Sequence, residues 1–276
     1  MGRVLHMTTL REWRDRDGAL VPGTLRTEGF AHAAPDDTAM LAVANAFHRD
    51  VSEPQVVLAV DTALVGARVR WEVPDPAPPG SAPGATLPRI HGPIPERAVV
   101  GVRYVRRDPW GGYLAFEART GTAERFDLVP SPEGGWYRRT WQTGVPAHPT
   151  DGRAGRDTAT AILFLLGPGE TSRWHRLRSD ELWVFNRGGP LSLVLGGSGE
   201  SPEASAEILL GSGAEEGHGL QAAVPAGTWQ CARPVEPREA LVTCVVSPGF
   251  DFADFEAGPT VPPMDHSSRA RADNAT

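Results

Sequence analysis

The sequence predicts a mixed α+β domain over residues 3–117 followed by an all-β sandwich or jelly-roll barrel over residues 125–258. Three observations carry that expectation. A chain of 276 residues exceeds one ordinary domain. An amphipathic helical pattern and two β-branched runs occupy its first part. From Arg125 onward helical periodicity vanishes, and short apolar runs alternate with Gly/Pro turns, which is the pattern of a sandwich or barrel.

Taken in order, Val4–Leu5 reads as a strand and Leu10–Arg14 as a helix start with Thr8 or Thr9 as its N-cap. Asp36–His48 reads as an amphipathic helix, because Met40, Leu41, Ala44 and Phe47 recur at three- and four-residue steps. Gln55–Val60 and Ala98–Arg106 are β-branched runs suited to buried strands. Between them Pro74–Pro88 (PDPAPPGSAPGATLP) is a surface loop, since its prolines lack N–H donors and restrict the residues before them. A weaker Pro/Gly/Ala stretch follows at Gly144–Gly155, and the domain boundary falls between Phe116 and Arg125. The later strands are Thr160–Leu166, Glu181–Asn186, Leu191–Leu195, Glu207–Leu210, Ala222–Val224 and Ala240–Val246. Residues 259–276 hold few large apolar side chains and read as a disordered tail.

Composition narrows the chemistry. The net charge of −7 argues against a nucleic-acid or anionic-membrane surface, which needs a basic field. All 27 basic residues are Arg, so chemistry that needs a lysine, from a P-loop clamp to a Schiff base, is excluded. The Gly, Pro, Ala and Arg richness suggests a bacterial source. Cys231 and Cys244 lie in apolar runs without CxxC spacing and read as buried free thiols, with a disulfide as the alternative. With no apolar segment of signal-peptide or membrane-span length, the expectation is a cytoplasmic protein whose partner is a small molecule.

The segment GETSRWHRLRSDELWVFNRG holds Gly169, His175, Glu181 and Gly188 at the spacing of the first motif of cupin barrels, with Leu177 where a second His is usual. Gly219, Pro225 and Gly227 fit the second motif, with Gln230 and Pro234 in place of its His and Asn. Together with PSPEGGWYRRTW (Pro130–Trp141), QAAVPAGTWQ and LVTCVVSPGFDF, these runs make the second half resemble the cupin family known as domain of unknown function nine-eight-five. Ser131 departs from its usual His. The resemblance implies a double-stranded β-helix of the RmlC-like cupin type and a homodimer paired through it. It also implies hairpins that aim His175, Glu181 and Gln230 into one cavity. Those three are the candidate ligands of a divalent metal, although an amide oxygen is a poor partner for metals that favour imidazole. Without a metal, His175 oriented by Glu181 would serve as a catalytic base. Arg138, Arg176 and Arg178 are candidates to hold an anionic group. Trp174, Trp183 and Trp229 either line the pocket or belong to the core.

VLHMTTLREW (Val4–Trp13), TEGFAHAAPDD (Thr27–Asp37), the pair Trp71 and Glu72, and LPRIHGPIP (Leu87–Pro95) resemble domain of unknown function nine-five-two, with Arg89 and His91 departing from its usual His and Tyr. That family is grouped with ADP-ribosyltransferase-like folds. The resemblance implies His6 and Thr8 as contacts to the nicotinamide ribose of NAD, with Glu72 a candidate for the late carboxylate and His32 a second cleft residue. Two structural histidines are the alternative. Three functions follow: an isomerase or epimerase acting on a sugar or nucleotide sugar in the barrel, an NAD-dependent transferase in the first domain, and a non-enzymatic metabolite sensor.

Overall fold

The computed structural model describes residues 2–78 and 84–260, so part of the proline-rich loop and the tail from 261 lie outside the described residues. The chain divides into two units, Met1–Glu124 and Arg125–Thr276. Among the described residues no helix is long and apolar enough to cross a membrane.

The first unit is α+β with strands in the majority. Its main sheet runs Arg3–Thr9, Gln55–Asp61, Val99–Arg107, Tyr113–Glu117, antiparallel throughout. Thr9 caps the helix Leu10–Asp15 in a capping box with Glu12, which satisfies backbone donors at the helix start reciprocally. The Asp36 carboxylate accepts from Ala39 N–H at 2.8 Å and opens the helix Asp37–Phe47. Met40 and Ala44 of that helix are buried against Leu5, Val57, Val105 and Phe116, whereas Phe47, expected on the same face, is half exposed. The short helix Gly23–Thr27 had no periodic pattern to announce it.

The second unit is two facing antiparallel layers. One carries, in order, Val129–Pro130, Trp136–Gln142, Thr160–Leu166, Ala240–Ser247, Asp180–Gly188 and Gln221–Val224. The other carries Ala206–Leu210, Leu191–Leu195, Gln230–Pro234, His175–Leu177 and Phe255–Ala257. Leu191, Leu193, Leu210, Phe164 and Trp183 fill the space between them at one end, with Phe164 and Trp183 edge to face at 5.9 Å. Cys231 and Cys244 are buried and free. The Gly144–Gly155 stretch contains Pro146–Ala147, which pairs with Arg156–Asp157.

Candidate active site

Strand register decides which side chains meet inside the second unit. Arg139, Ile162, Cys244 and Trp183 stand opposite one another across four strands, and Thr160, Val246 and Glu181 form the next such row. Because side chains alternate faces along a strand, both rows point the same way. They line a cavity of about 380 Å³ together with Tyr137, Phe164, His175, Leu177 and the segment Phe250–Phe252. From a third direction the turn Ser131–Gly135 brings Glu133 to the same wall. Gly134 and Gly135 have φ of 109° and 64°, and a Cβ would stand 2.3 Å from the Thr171 carbonyl oxygen or 2.4 Å from that of Leu165. Only glycine lets this turn press so closely onto the barrel.

His175 is buried and stacked on Phe255. Its Nδ1 lies 3.0 Å from the Arg173 carbonyl oxygen. A carbonyl only accepts, so in the neutral ring Nδ1 carries the proton and Nε2 the basic lone pair. The carboxylate beside that nitrogen is Glu133, with Oε2 at 3.9 Å. The sequence pointed to Glu181 for the orienting role, but the ring is held by the Arg173 carbonyl instead. Glu181 is pushed up to about 7, first by burial and further by the charge of Glu133, against the opposing pull of His175. Burial and the same Glu133 charge raise Tyr137, and burial raises the Cys244 thiol.

Gln230 pairs with His175 across the strands and is not itself part of the cavity lining, although its amide meets two residues that are. Trp183 Nε1–H donates to Gln230 Oε1 at 2.9 Å, and Gln230 Nε2–H donates to Glu181 Oε2 at 2.5 Å. An indole can only donate, so the amide oxygen is committed to Trp183 and the amide N–H faces the carboxylate. A divalent metal on His175, Glu181 and Gln230 therefore does not fit this donor set. Among the described residues no three His, Cys, Asp and Glu side chains are placed to share an ion.

The remaining expected contacts lie outside the cavity. Arg138 is exposed on the opposite face of its strand, with Arg139 on the lining in its place. Arg176 stacks 4.6 Å over Trp229 and donates to Glu256 at 2.7 Å and to the Gly199 carbonyl at 2.9 Å. Trp229 is buried and donates to the same carbonyl, so it and Arg176 form a structural clamp. Arg178 is half exposed beside Asp151, and Trp174 is not part of the lining. Glu133, Tyr137, Arg139 and Cys244 escaped the motif reading, although the first three stand in the run PSPEGGWYRRTW.

In the first unit His6 is buried, and its Nδ1 lies 2.7 Å from the His32 carbonyl oxygen, while Nε2 has no hydrogen-bond partner among the described residues. The His32 ring turns outward to Glu28 at 2.9 Å, so the two histidines meet through backbone and not as a pair of rings. Thr8 Oγ1 donates to Glu12 at 2.6 Å, and Glu72 is paired with Arg89 at 2.6 Å. With Thr8 and Glu72 so committed, the residues named for NAD do not fit it. Burial holds the His6 imidazole below its usual 6.5. Between that lowered value and 6.5 the unfolded chain binds the more protons, so the stability His6 contributes is present above 6.5 and lost as pH falls. The first unit of wild type is expected to weaken in urea as pH drops from 7 towards 5, and His6→Gln to flatten that dependence; equal slopes would refute the assignment.

Two layered sheets enclosing a cavity define a double-stranded β-helix barrel. Residues 121–258 match the family model of the cupin superfamily (DUF985), and the chain belongs to that family. Residues 7–102 match the model of a protein of unknown function (DUF952). No curated protein matches the chain. Among solved structures, a hypothetical protein from Leishmania major is 33% identical, covering 50% of this chain and 86% of its own, with a TM-score of 0.45. A Shewanella oneidensis protein is 32% identical, covering 51% and 85%, with a TM-score of 0.44. A dTDP sugar isomerase from Desulfovibrio desulfuricans is 15% identical, covering 46% and 83%, with a TM-score of 0.33.

Proposed function

We propose that the cupin unit binds a small polar metabolite of the sugar or nucleotide-sugar type and moves a proton on it, as an isomerase or epimerase does. The observation that carries this reading is His175: its backbone contact leaves the basic Nε2 lone pair free at a cavity of small-molecule size. Around it Tyr137, Glu133 and Glu181 can hold or give protons, and Arg139 offers a fork to an anionic group. The raised Glu181 supports the reading, since near 7 it is half protonated at neutral pH and can donate to a substrate oxygen.

The test is deuterium incorporation from D2O into sugar phosphates and sugar nucleotides, followed by mass spectrometry. Wild type is expected to incorporate deuterium at carbon, and His175→Ala to lose about 100-fold or more of the rate. An unchanged rate in His175→Ala overturns the reading. Saturable binding without incorporation selects the sensor instead. We extend the proposal to a cytoplasmic homodimer paired through this unit, as the family resemblance implies; a monomeric mass by light scattering would remove the pairing.

A further inference from the structure

The gap between His175 Nε2 and Glu133 Oε2 is 3.9 Å, too long for a direct hydrogen bond and well placed to be bridged. A substrate hydroxyl that donates to Glu133 Oε2 can set the carbon that bears it, with its C–H bond, against the Nε2 lone pair. His175 is held by the Arg173 carbonyl, and the Glu133 backbone is held in turn. Its carbonyl accepts from Arg173 N–H at 2.7 Å, and its N–H donates to Ser131 Oγ at 3.3 Å. The same backbone unit, Arg173, thus ties the imidazole to the turn that bears Glu133, and the two tight glycines fix that turn against the barrel.

Resting on the isomerase reading, we propose that Glu133 is a second catalytic residue, that the notch takes a hydroxyl of an α-hydroxycarbonyl substrate, and that the reaction is aldose–ketose isomerisation. His175 Nε2 removes the proton from the carbon beside the carbonyl, and the electron pair left behind makes the enediolate. Glu133 accepts the proton of the neighbouring hydroxyl and returns it to the former carbonyl oxygen. The other oxygen then becomes the carbonyl, and His175 delivers its proton to the adjacent carbon. No oxidant, reductant or net proton is required, and both side chains return to their starting states. Glu181, in the same cavity, can donate to the enediolate oxygen, and Arg139 suits a substrate phosphate.

Because the two residues move different protons, their variants separate. The probes are glyceraldehyde phosphate, ribose phosphate and glucose phosphate in D2O, with full-length protein. Wild type is expected to exchange the carbon-bound proton and to form ketose. Glu133→Gln should keep carbon exchange within about tenfold while ketose formation falls about 100-fold or more, and Glu133→Asp should recover part of the ketose yield. His175→Ala should lose both. Unchanged ketose formation in Glu133→Gln, or an equal fall in exchange and product, overturns the role of Glu133 and leaves the isomerase reading standing. Neither exchange nor product from wild type overturns both. A circular dichroism spectrum matching wild type shows that the variants fold, and if Glu133→Gln does not, Glu133→Asp carries the same comparison.

Discussion

Replacing Asp254 with alanine is expected to destabilise the second unit by about 3 kcal/mol, because it strands buried guanidinium charge. Asp254 is 4% exposed at its side chain and receives Arg153 Nη1 at 2.9 Å as well as Arg156 Nη1. Arg153 and Arg156 are almost as deeply buried, at 6% and 7%. Removing the carboxylate leaves Arg153 its bonds to Asp151 and Ser179, but among the described residues leaves Arg156 with the Ala154 carbonyl alone. The cost of an uncompensated buried charge therefore falls mainly on Arg156, which places the estimate at the lower end of the range for broken buried pairs. In urea the transition of this unit should move down by about 1.5 M for an m-value of about 2 kcal/mol/M. The double variant Asp254→Ala with Arg156→Met should regain much of the loss, since no charge is then left unpaired. A single variant as stable as wild type would show that water reaches these arginines. The network also matters for the site: Asp254 follows Phe250–Phe252 in the chain and ties that wall of the cavity to the loop bearing Arg153 and Arg156.

Sequence pattern carried the strands well where one face is apolar throughout, as in Thr160–Leu166 and Leu191–Leu195, whose bounds match the structure. It failed on Trp136–Gln142. There the run WYRRTWQ is almost wholly exposed after Trp136, and a bulge between Arg139 and Trp141 breaks the alternation. That failure is why Arg138 stood in for Arg139: two adjacent arginines give no sign of which faces inward, and only pairing of Arg139 with Ile162 decides it. Motif spacing placed His175 and Glu181 in one cavity because they stand on consecutive strands joined by a short turn, one strand in each layer. Glu133 lies far from them in sequence, and its approach depends on glycines meeting Thr171 and Leu165 carbonyls, a long-range fit that spacing does not encode. Gln230 shows the reverse case. Its position in the motif was legible, but the Trp183 indole that captures its amide oxygen was not.

The other large effect is electrostatic, and its sign runs against the usual behaviour of carboxylates. Glu181 rises from its usual 4.5 to about 7 in the folded chain, chiefly through burial. Between those values the native state binds more protons than the unfolded chain, so stability falls as pH rises. The contribution is complete below 4.5 and is lost as pH climbs through 7. A shift of this size corresponds to about 3 kcal/mol. Glu181→Gln keeps an oxygen to accept from Gln230 and cannot ionise, so it should remove the dependence. At pH 8 the variant is expected to be more stable than wild type by about 2–3 kcal/mol, and near pH 5 the two should nearly coincide. Urea unfolding at both pH values measures this as a difference between proteins, which cancels the opposite slope that His6 imposes on the first unit. The same substitution removes a proton donor from the cavity, so gain in stability should accompany loss of turnover, as is usual where a site holds a group its surroundings disfavour. A variant no more stable at pH 8 would mean that Glu181 ionises at its ordinary value, with the hydrogen bond from Gln230 outweighing burial.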